Sequence, residues 1–290
     1  MSDRFLVLGA SGQVGGRVLE MLRQDGREAT GVSRTKKGEH WVHFDWLDSQ
    51  TFRSALQGIT SVLLVCRPGD EDADRYAAPF ISAMVDAGVR RVVLLSALGA
   101  AKRPEFSLRK VELLIEASGL AWTHIRPNFF FQMLARPPLS SEIASLGTLR
   151  LHLGDARIAY VDADDVAALL FKALTDQSLA GRAIELSGPE ALTHEEIVQC
   201  IAQQTGRAIR FVNLSEDEAR ALLLSRGFPA PHAERVMRFY ALCRQGYCAM
   251  PDAEAAQILG RPLKHFDAFV EANLAAWLPS AASPGYTPAP

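Results

Sequence analysis

A short apolar run that breaks into Gly9-x-x-Gly12-x-x-Gly15 constrains this chain more than any other stretch of it. Phe5–Leu8 reads as a strand, and Val14, Val18, Met21 and Leu22 share one face of the helix that follows. The turn needs glycine, because a Cβ would block both the tight reversal and the approach of the backbone to a pyrophosphate. The helix start beyond it offers unpaired N–H groups and the positive end of the helix dipole to such an anion. Three glycines at this spacing are a loose signal alone. The strand before, the helix after and the position near the N-terminus together point to a dinucleotide site. The competing reading is a strand–helix turn that binds nothing.

The remainder of the first half repeats the alternation. Strands are expected at Glu28–Ser33, Trp41–Phe44, Ser61–Cys66, Arg91–Ser96 and Trp122–Arg126, with helices near Gln13–Gln24, Ser49–Gln57, Ala73–Ala87 and Ser107–Ala117. Gly26, Gly58, Gly88 and Gly119 follow the four helices, where a left-handed cap favours glycine. Strand and helix alternating at short intervals predict a parallel sheet covered on both faces.

The second half is less regular. Phe129–Ser145 is an aromatic-rich helix or loop interrupted by Pro137 and Pro138, and a segment around Gly154 leads to a strand-like Ala159–Val161. A helix is expected from about Asp164 to Leu174, with strands at Ala183–Leu186 and Ile209–Val212 and mostly helix after Thr193. Thr193 with Glu196 three places on is a capping-box pattern. Asp162 and Asp164 are expected to cap the helix they precede. The small, Pro-rich end of the chain, 279–290, is expected to be a disordered tail.

At 290 residues and 48% hydrophobic, the chain can bury one large α/β domain, or a main domain with a smaller lobe. A net charge of −2 gives no basic surface for nucleic acid or an anionic membrane. No apolar run approaches the ~20 residues of a membrane span, and the N-terminus runs directly into the first strand, so a soluble cytoplasmic protein is expected. Cys66, Cys200, Cys243 and Cys248 lack metal-ligand spacing, and Cys243 and Cys248 are expected to lie five apart in one helix as reduced thiols. No metal site is expected.

The charge after the second strand separates the two nicotinamide dinucleotides. An acid there binds the ribose hydroxyls of NAD, whereas a basic residue accommodates the 2′-phosphate of NADP. Here the chain reads Ser33-Arg34-Thr35-Lys36-Lys37, with no acid until Glu39. Arg34 can fork onto a phosphate and stack on adenine, so NADPH is the expected cofactor. Asp45, after the third strand, is either a partner for the adenine amino group or a helix-start residue beside Asp48.

Taken together, Gly9–Gly15, Ser33-Arg34, Val93–Ser96, Lys110 and Arg126–Phe130 resemble the NmrA-like branch of the atypical short-chain dehydrogenases/reductases. Val161–Val166 and Leu186–Thr193 match that branch too, and the likeness covers about Phe5 to Asn273. It is most similar to bacterial relatives of the ergot-alkaloid reductases, which reduce a C=N⁺ bond. Quinone reductases, benzylic-ether reductases and NADP-binding redox sensors also resemble it.

The resemblance implies a Rossmann-type doubly wound parallel sheet, about 1–127 plus 155–187, within one NAD(P)-binding domain spanning 1–278. A smaller, mostly helical C-terminal substrate lobe, about 128–154 and 188–278, would complete that domain. A small substrate would lie in the cleft, in a monomer or homodimer. By the same resemblance, Gly9, Ser11, Gly12, Gln13, Val14 and Gly15 hold the pyrophosphate, and Ser33, Arg34 and Lys37 stand near the 2′-phosphate. Cys66, Arg67 and Pro68 pass under the adenine-side ribose and diphosphate. Ser96, Ala97, Pro127 and Phe129 lie by the nicotinamide. Phe130, Phe131 and Met133 begin a candidate substrate wall, with Phe239 and Tyr240 opposite, although an aromatic run also suits a core.

One position departs from the pattern. Most short-chain dehydrogenases carry Tyr-x-x-x-Lys on a helix, the Tyr giving a proton to the carbonyl oxygen and the Lys lowering its pKa and holding the ribose. This chain reads Phe106-Ser-Leu-Arg-Lys110. Lys110 remains as the candidate catalytic and ribose-binding cation, or is a solvated helix lysine. Tyr76, Tyr160 and His124 are the alternative acids, each fitting a packing role better. Ketone reduction builds charge on oxygen and needs a proton donor. Hydride delivery to an iminium ion yields a neutral amine and does not. The reading is an NADPH-dependent reductase of an iminium, imine or other activated double bond. The alternatives are quinone or azo reduction at the same site, or a non-catalytic NADP(H) sensor.

Overall fold

A computed structural model describes residues 3–36, 38–67 and 69–279. Lys37, Pro68 and the tail from 280 onward, for which expectations were stated, lie outside the described residues. In chain order the elements are β1 (Arg4–Val7), α1 (Gln13–Gln24), β2 (Glu28–Ser33), β3 (Trp41–His43), α2 (Gln50–Ala55), β4 (Ser61–Val65), α3 (Ala73–Asp86), β5 (Arg91–Leu95), α4 (Ser107–Glu116) and β6 (Ala121–Pro127). Then come α5 (Leu139–Leu146), β7 (Thr148–Leu151), α6 (Ala163–Thr175), β8 (Arg182–Leu186), α7 (His194–Thr205), β9 (Arg210–Asn213), α8 (Glu216–Ser225), α9 (Ala230–Arg244), α10 (Glu254–Leu259) and α11 (Phe266–Ala272).

The chain forms two compact units. The first comprises Met1–Asn128, Ala163–Leu186 and Asp252–Leu263. Its sheet runs β3-β2-β1-β4-β5-β6-β8, and every neighbouring pair is parallel. The order reverses between β1 and β4, which pair Leu6 with Val62. Alternate side chains divide the sheet between two layers. Leu6, Val62, Leu64, Val92 and Leu94 pack with Phe52, Phe80, Val111 and Ile115 from α2, α3 and α4. Phe5, Val7, Leu63 and Val93 point the other way and are equally buried, on the face where α6 lies against β4 and β5 and α1 against β1. The buried stripe of α1 is Val14, Val18, Leu19 and Leu22, while Met21 is half-buried. The sheet is the Rossmann-type arrangement that the alternation predicts. Helix α10 packs against α6 and β8, and so belongs to this unit.

The second unit comprises Phe129–Asp162, Ser187–Pro251 and the segment from Lys264. Residues 155–162, expected in the sheet core, fall here, because Val161 hydrogen-bonds Phe129 and Phe131 while Ala159 and Ile158 bond Cys248 and Leu192. The unit is mostly helical around a two-stranded parallel sheet, β7 with β9, pairing Leu149 with Phe211. Nothing in the sequence reading anticipates β7, whose partner lies far along the chain. The expected Thr193–Glu196 capping box is present on α7, and Ser215 with Glu218 forms a second on α8. Asp164 is not a cap: it stands in the first turn of α6 and pairs with Arg17. Cys248 lies beyond the end of α9 rather than within it. Phe131 is fully buried, its ring packed on Phe266, Phe269 and Tyr160.

Candidate functional site

In the sheet unit, the sequence-predicted residues gather at the carboxyl ends of β1 to β6, where ligands bind in open parallel sheets. After β1 the chain turns at Gly9, with φ of +66°, a conformation that L side chains avoid. The Gly12 N–H donates to the Gly9 carbonyl at 2.8 Å, closing the turn, and Gly12 becomes the N-cap of α1. The first helical bond runs from the Gly16 N–H to the Gly12 carbonyl, so the N–H groups of Gln13, Val14 and Gly15 precede the ladder. No acidic side chain stands in this first turn. A Cβ on Gly15 would sit 2.4 Å from the Gly9 carbonyl oxygen, so only glycine lets the helix start pack on the turn. Ser11 and Gly12 are exposed, and the turn abuts Val65 at the end of β4, where the strand order reverses.

At the end of β2, the Ser33 hydroxyl accepts the N–H groups of Thr35 and Lys36 at 3.2 and 3.1 Å. That turn leaves Arg34 exposed and without a partner among the described residues, while Lys36 lies over the Trp41 ring at 4.6 Å. The Asp45 carboxylate accepts the Leu47 N–H at 3.0 Å, and Asp48 accepts that of Gln50 at 3.0 Å. Ser49, not Asp45, occupies the N-cap of α2.

At the end of β4, Cys66 is buried, and burial pushes its thiol up to about 12. The Arg67 guanidinium lies over the Tyr76 ring at 4.9 Å and pairs with Asp70 at 2.7 Å. The Arg67 N–H donates to the Tyr76 hydroxyl at 3.0 Å. Burial pushes the Tyr76 phenol up to about 12, and the hydroxyl is tethered by the backbone N–H it accepts.

Between β5 and α4 lies a charged cluster that the sequence reading missed. The Ser96 hydroxyl donates to the Glu112 carboxylate at 2.7 Å. Glu112 is wholly buried and receives both arms of Arg126 at 2.8 Å and Arg109 at 2.9 Å. Burial pushes the Glu112 carboxyl up, but the bonds from Arg126, Ser96 and Arg109 outweigh it and hold it below the usual range. The available signal was a glutamate on the buried stripe of α4, with Val111 and Ile115. Lys110, by contrast, is exposed and without a partner among the described residues. Its N–H donates to the Phe106 carbonyl one turn back at 3.1 Å, and Arg103 lies over the Phe106 ring at 4.6 Å. Ala97 is half-buried and Pro127 buried. His124 is buried against Trp122 at 4.5 Å between ring centroids, and burial takes it down to about 4.

In the second unit, Phe129 stands edge-to-face with Phe239 at 6.1 Å and tilted to Tyr160 at 6.3 Å. Phe129, Phe130, Phe239 and Tyr240 are half-buried and Met133 is exposed, so each retains accessible surface. Phe131 does not: at 0% exposure it is core, and its place in the substrate wall is withdrawn. Burial pushes the Tyr240 phenol up to about 12. The Tyr160 hydroxyl lies 3.0 Å from Nε2 of His194 in the interior. Among the described residues, no group of three or more His, Cys, Asp or Glu could hold a metal ion.

A parallel sheet ordered 3-2-1-4-5-6 with a glycine turn at the point of reversal is the Rossmann-type arrangement of the dinucleotide-binding folds. The model of the NAD(P)H-binding family matches residues 9–177. The chain belongs to that family. It is 34% identical over 275 residues to the (4-alkanoyl-5-oxo-2,5-dihydrofuran-3-yl)methyl phosphate reductase of Streptomyces griseus, covering 90% of this chain and 94% of that one. It is 30% identical to the agroclavine dehydrogenase of Claviceps fusiformis over 94% of this chain and 98% of that one. Its fold is similar to that of the Citrobacter triphenylmethane reductase solved with NADP(H), at a TM-score of 0.83 and 19% identity over 93% and 99% of the two chains. Among the described residues, no helix is long and apolar enough to cross a membrane.

Proposed function

We propose that this protein is an NADPH-dependent reductase of a small organic electrophile that needs no proton from the enzyme, an iminium ion above all. Bound NADPH supplies the hydride. In this reading the N–H groups of Gln13, Val14 and Gly15 hold the pyrophosphate, and Arg34, exposed at the end of β2 and without a partner among the described residues, takes the 2′-phosphate. Lys110, exposed and likewise without a partner among the described residues, holds the ribose. Phe129, Phe239 and Tyr240 offer ring faces and edges suited to a planar or cationic substrate.

The observation that carries the substrate class is the state of the hydroxyl groups. Phe106 stands where the phenol of an ordinary short-chain dehydrogenase would be, and the Ser96 proton is committed to the ionised Glu112. A positioned general acid contributes roughly 10²–10⁴ in rate to carbonyl reduction. Without one at either of these two positions, the reaction leans on positioning, which suffices for an electrophile already cationic or one whose product takes its proton from water. Quinones and azo compounds meet the second condition.

The test is NADPH oxidation against cyclic iminium ions, quinones, azo dyes and unactivated ketones. Turnover of an iminium ion, with the ketones inert, is expected. Ketone turnover at a comparable rate would overturn the substrate class. No turnover of any compound, with NADPH still bound tightly, would identify a sensor instead.

A further inference from the structure

Two cysteines of the second unit meet in its interior, and no step of the proposed reaction uses them. Cys243 lies in the last turn of α9 and Cys248 in the reverse turn that follows. That turn is tightly made: Gly246, with φ of +81°, donates its N–H to the Cys243 carbonyl at 2.9 Å, and the Tyr247 N–H reaches back to Leu242 at 3.2 Å. The reversal brings the two sulfurs to 3.5 Å, both buried. The Cys248 carbonyl accepts the Ala159 N–H at 2.8 Å, which anchors the turn to the strand-like segment carrying Tyr160. Beyond Cys248 the cover thins quickly, for Met250 is 75% exposed.

We propose that Cys243 and Cys248 form a redox-modifiable dithiol that a hydroperoxide closes to an intramolecular disulfide. One thiol, ionised on transient opening of the 245–251 turn, attacks a peroxide oxygen, giving a sulfenic acid and releasing water or an alcohol. The neighbouring thiol then attacks the sulfenic sulfur and a second water leaves, so two thiols and one hydroperoxide give one disulfide. Closure needs the sulfurs to draw in from 3.5 Å to about 2.05 Å, a small movement for a turn. The hydrogen bond that the Cys243 thiol donates to Cys248, together with burial, holds its proton on, so the first step is slow. The bridge would tie the end of α9, one turn after Phe239 and Tyr240, to the turn anchored on Ala159.

The experiment is intact-mass spectrometry of the full chain treated with hydrogen peroxide, followed by peptide mapping without reduction. A loss of two hydrogens is expected, reversed by dithiothreitol, with the Cys243 and Cys248 peptides cross-linked to one another. Cys248→Ser and Cys243→Ser should each abolish that loss while Cys66 and Cys200 remain. The unmodified protein alone decides the matter should either variant misfold. Oxygen adducts in place of the bridge, a bridge through Cys66 or Cys200, a linked pair of chains, or unchanged mass would each overturn the proposal.

Discussion

Gly15 has no room for a side chain, since any Cβ would meet the Gly9 carbonyl at 2.4 Å. Gly15→Ala must therefore push the start of α1 off the turn and displace the N–H groups to which the proposed function assigns the pyrophosphate. At least a tenfold loss of NADPH affinity, about 1.4 kcal/mol, is expected by calorimetry, with the far-UV circular dichroism unchanged. Unaltered affinity would separate the turn from the cofactor. Arg34 makes the complementary case for charge. A hydrogen bond to a charged group contributes about 1.5–3 kcal/mol, so Arg34→Ala should weaken NADPH by roughly 10- to 100-fold and leave NADH nearly untouched. Equal losses for both nucleotides would assign Arg34 no part in telling them apart. The Gly9–Gly15 turn was legible in the chain itself, because glycine spacing is a local property, and so was the run of basic residues around Arg34. Glu112 was not: its meaning depends on Ser96, Arg126 and Arg109 converging on it, which only the folded sheet brings about.

Helix α7 shows how far local pattern reaches at the scale of an element. The Thr193 hydroxyl accepts the Glu196 N–H at 3.2 Å while the Glu196 carboxylate accepts the Thr193 N–H at 2.8 Å. Thr193→Ala removes that exchange and should cost about 1 kcal/mol in urea unfolding, with activity retained. A change below the error of the measurement would show the helix held by packing alone. Strands β1, β4 and β5 were equally readable as apolar runs between helices, whereas β2 (EATGVS) and β6 (AWTHIRP) were legible from their place in the strand–helix alternation. Strand β7 escaped because Thr148–Leu151 is too short to show a period, and its partner among the described residues begins far along the chain at Arg210. Phe131 misled for a related reason: an aromatic run does not reveal which rings turn inward.

At the scale of the molecule, the two interior histidines contribute to the loss of stability in mild acid. Burial lowers both His124 and His194 to about 4, against about 6.5 when unfolded. Between those values the unfolded chain binds protons that the folded chain refuses, so the stability is complete above pH 6.5 and drains away as pH falls toward 4. Each should surrender about 2 kcal/mol by pH 5, seen as a fall in the urea midpoint from pH 7.5 to pH 5 that His194→Gln lessens. A midpoint constant across that range would mean that protonation is matched in the two states. The sheet unit also has an unusual itinerary, for Asp252–Leu263 completes it long after its strands have been laid down, docking α10 on α6 and β8. A nascent chain paused on the ribosome short of that stretch would hold α6 bare along one flank. Final consolidation of this half must therefore wait for nearly the whole polypeptide to emerge, which makes it a late client for any chaperone that shields unfinished surfaces.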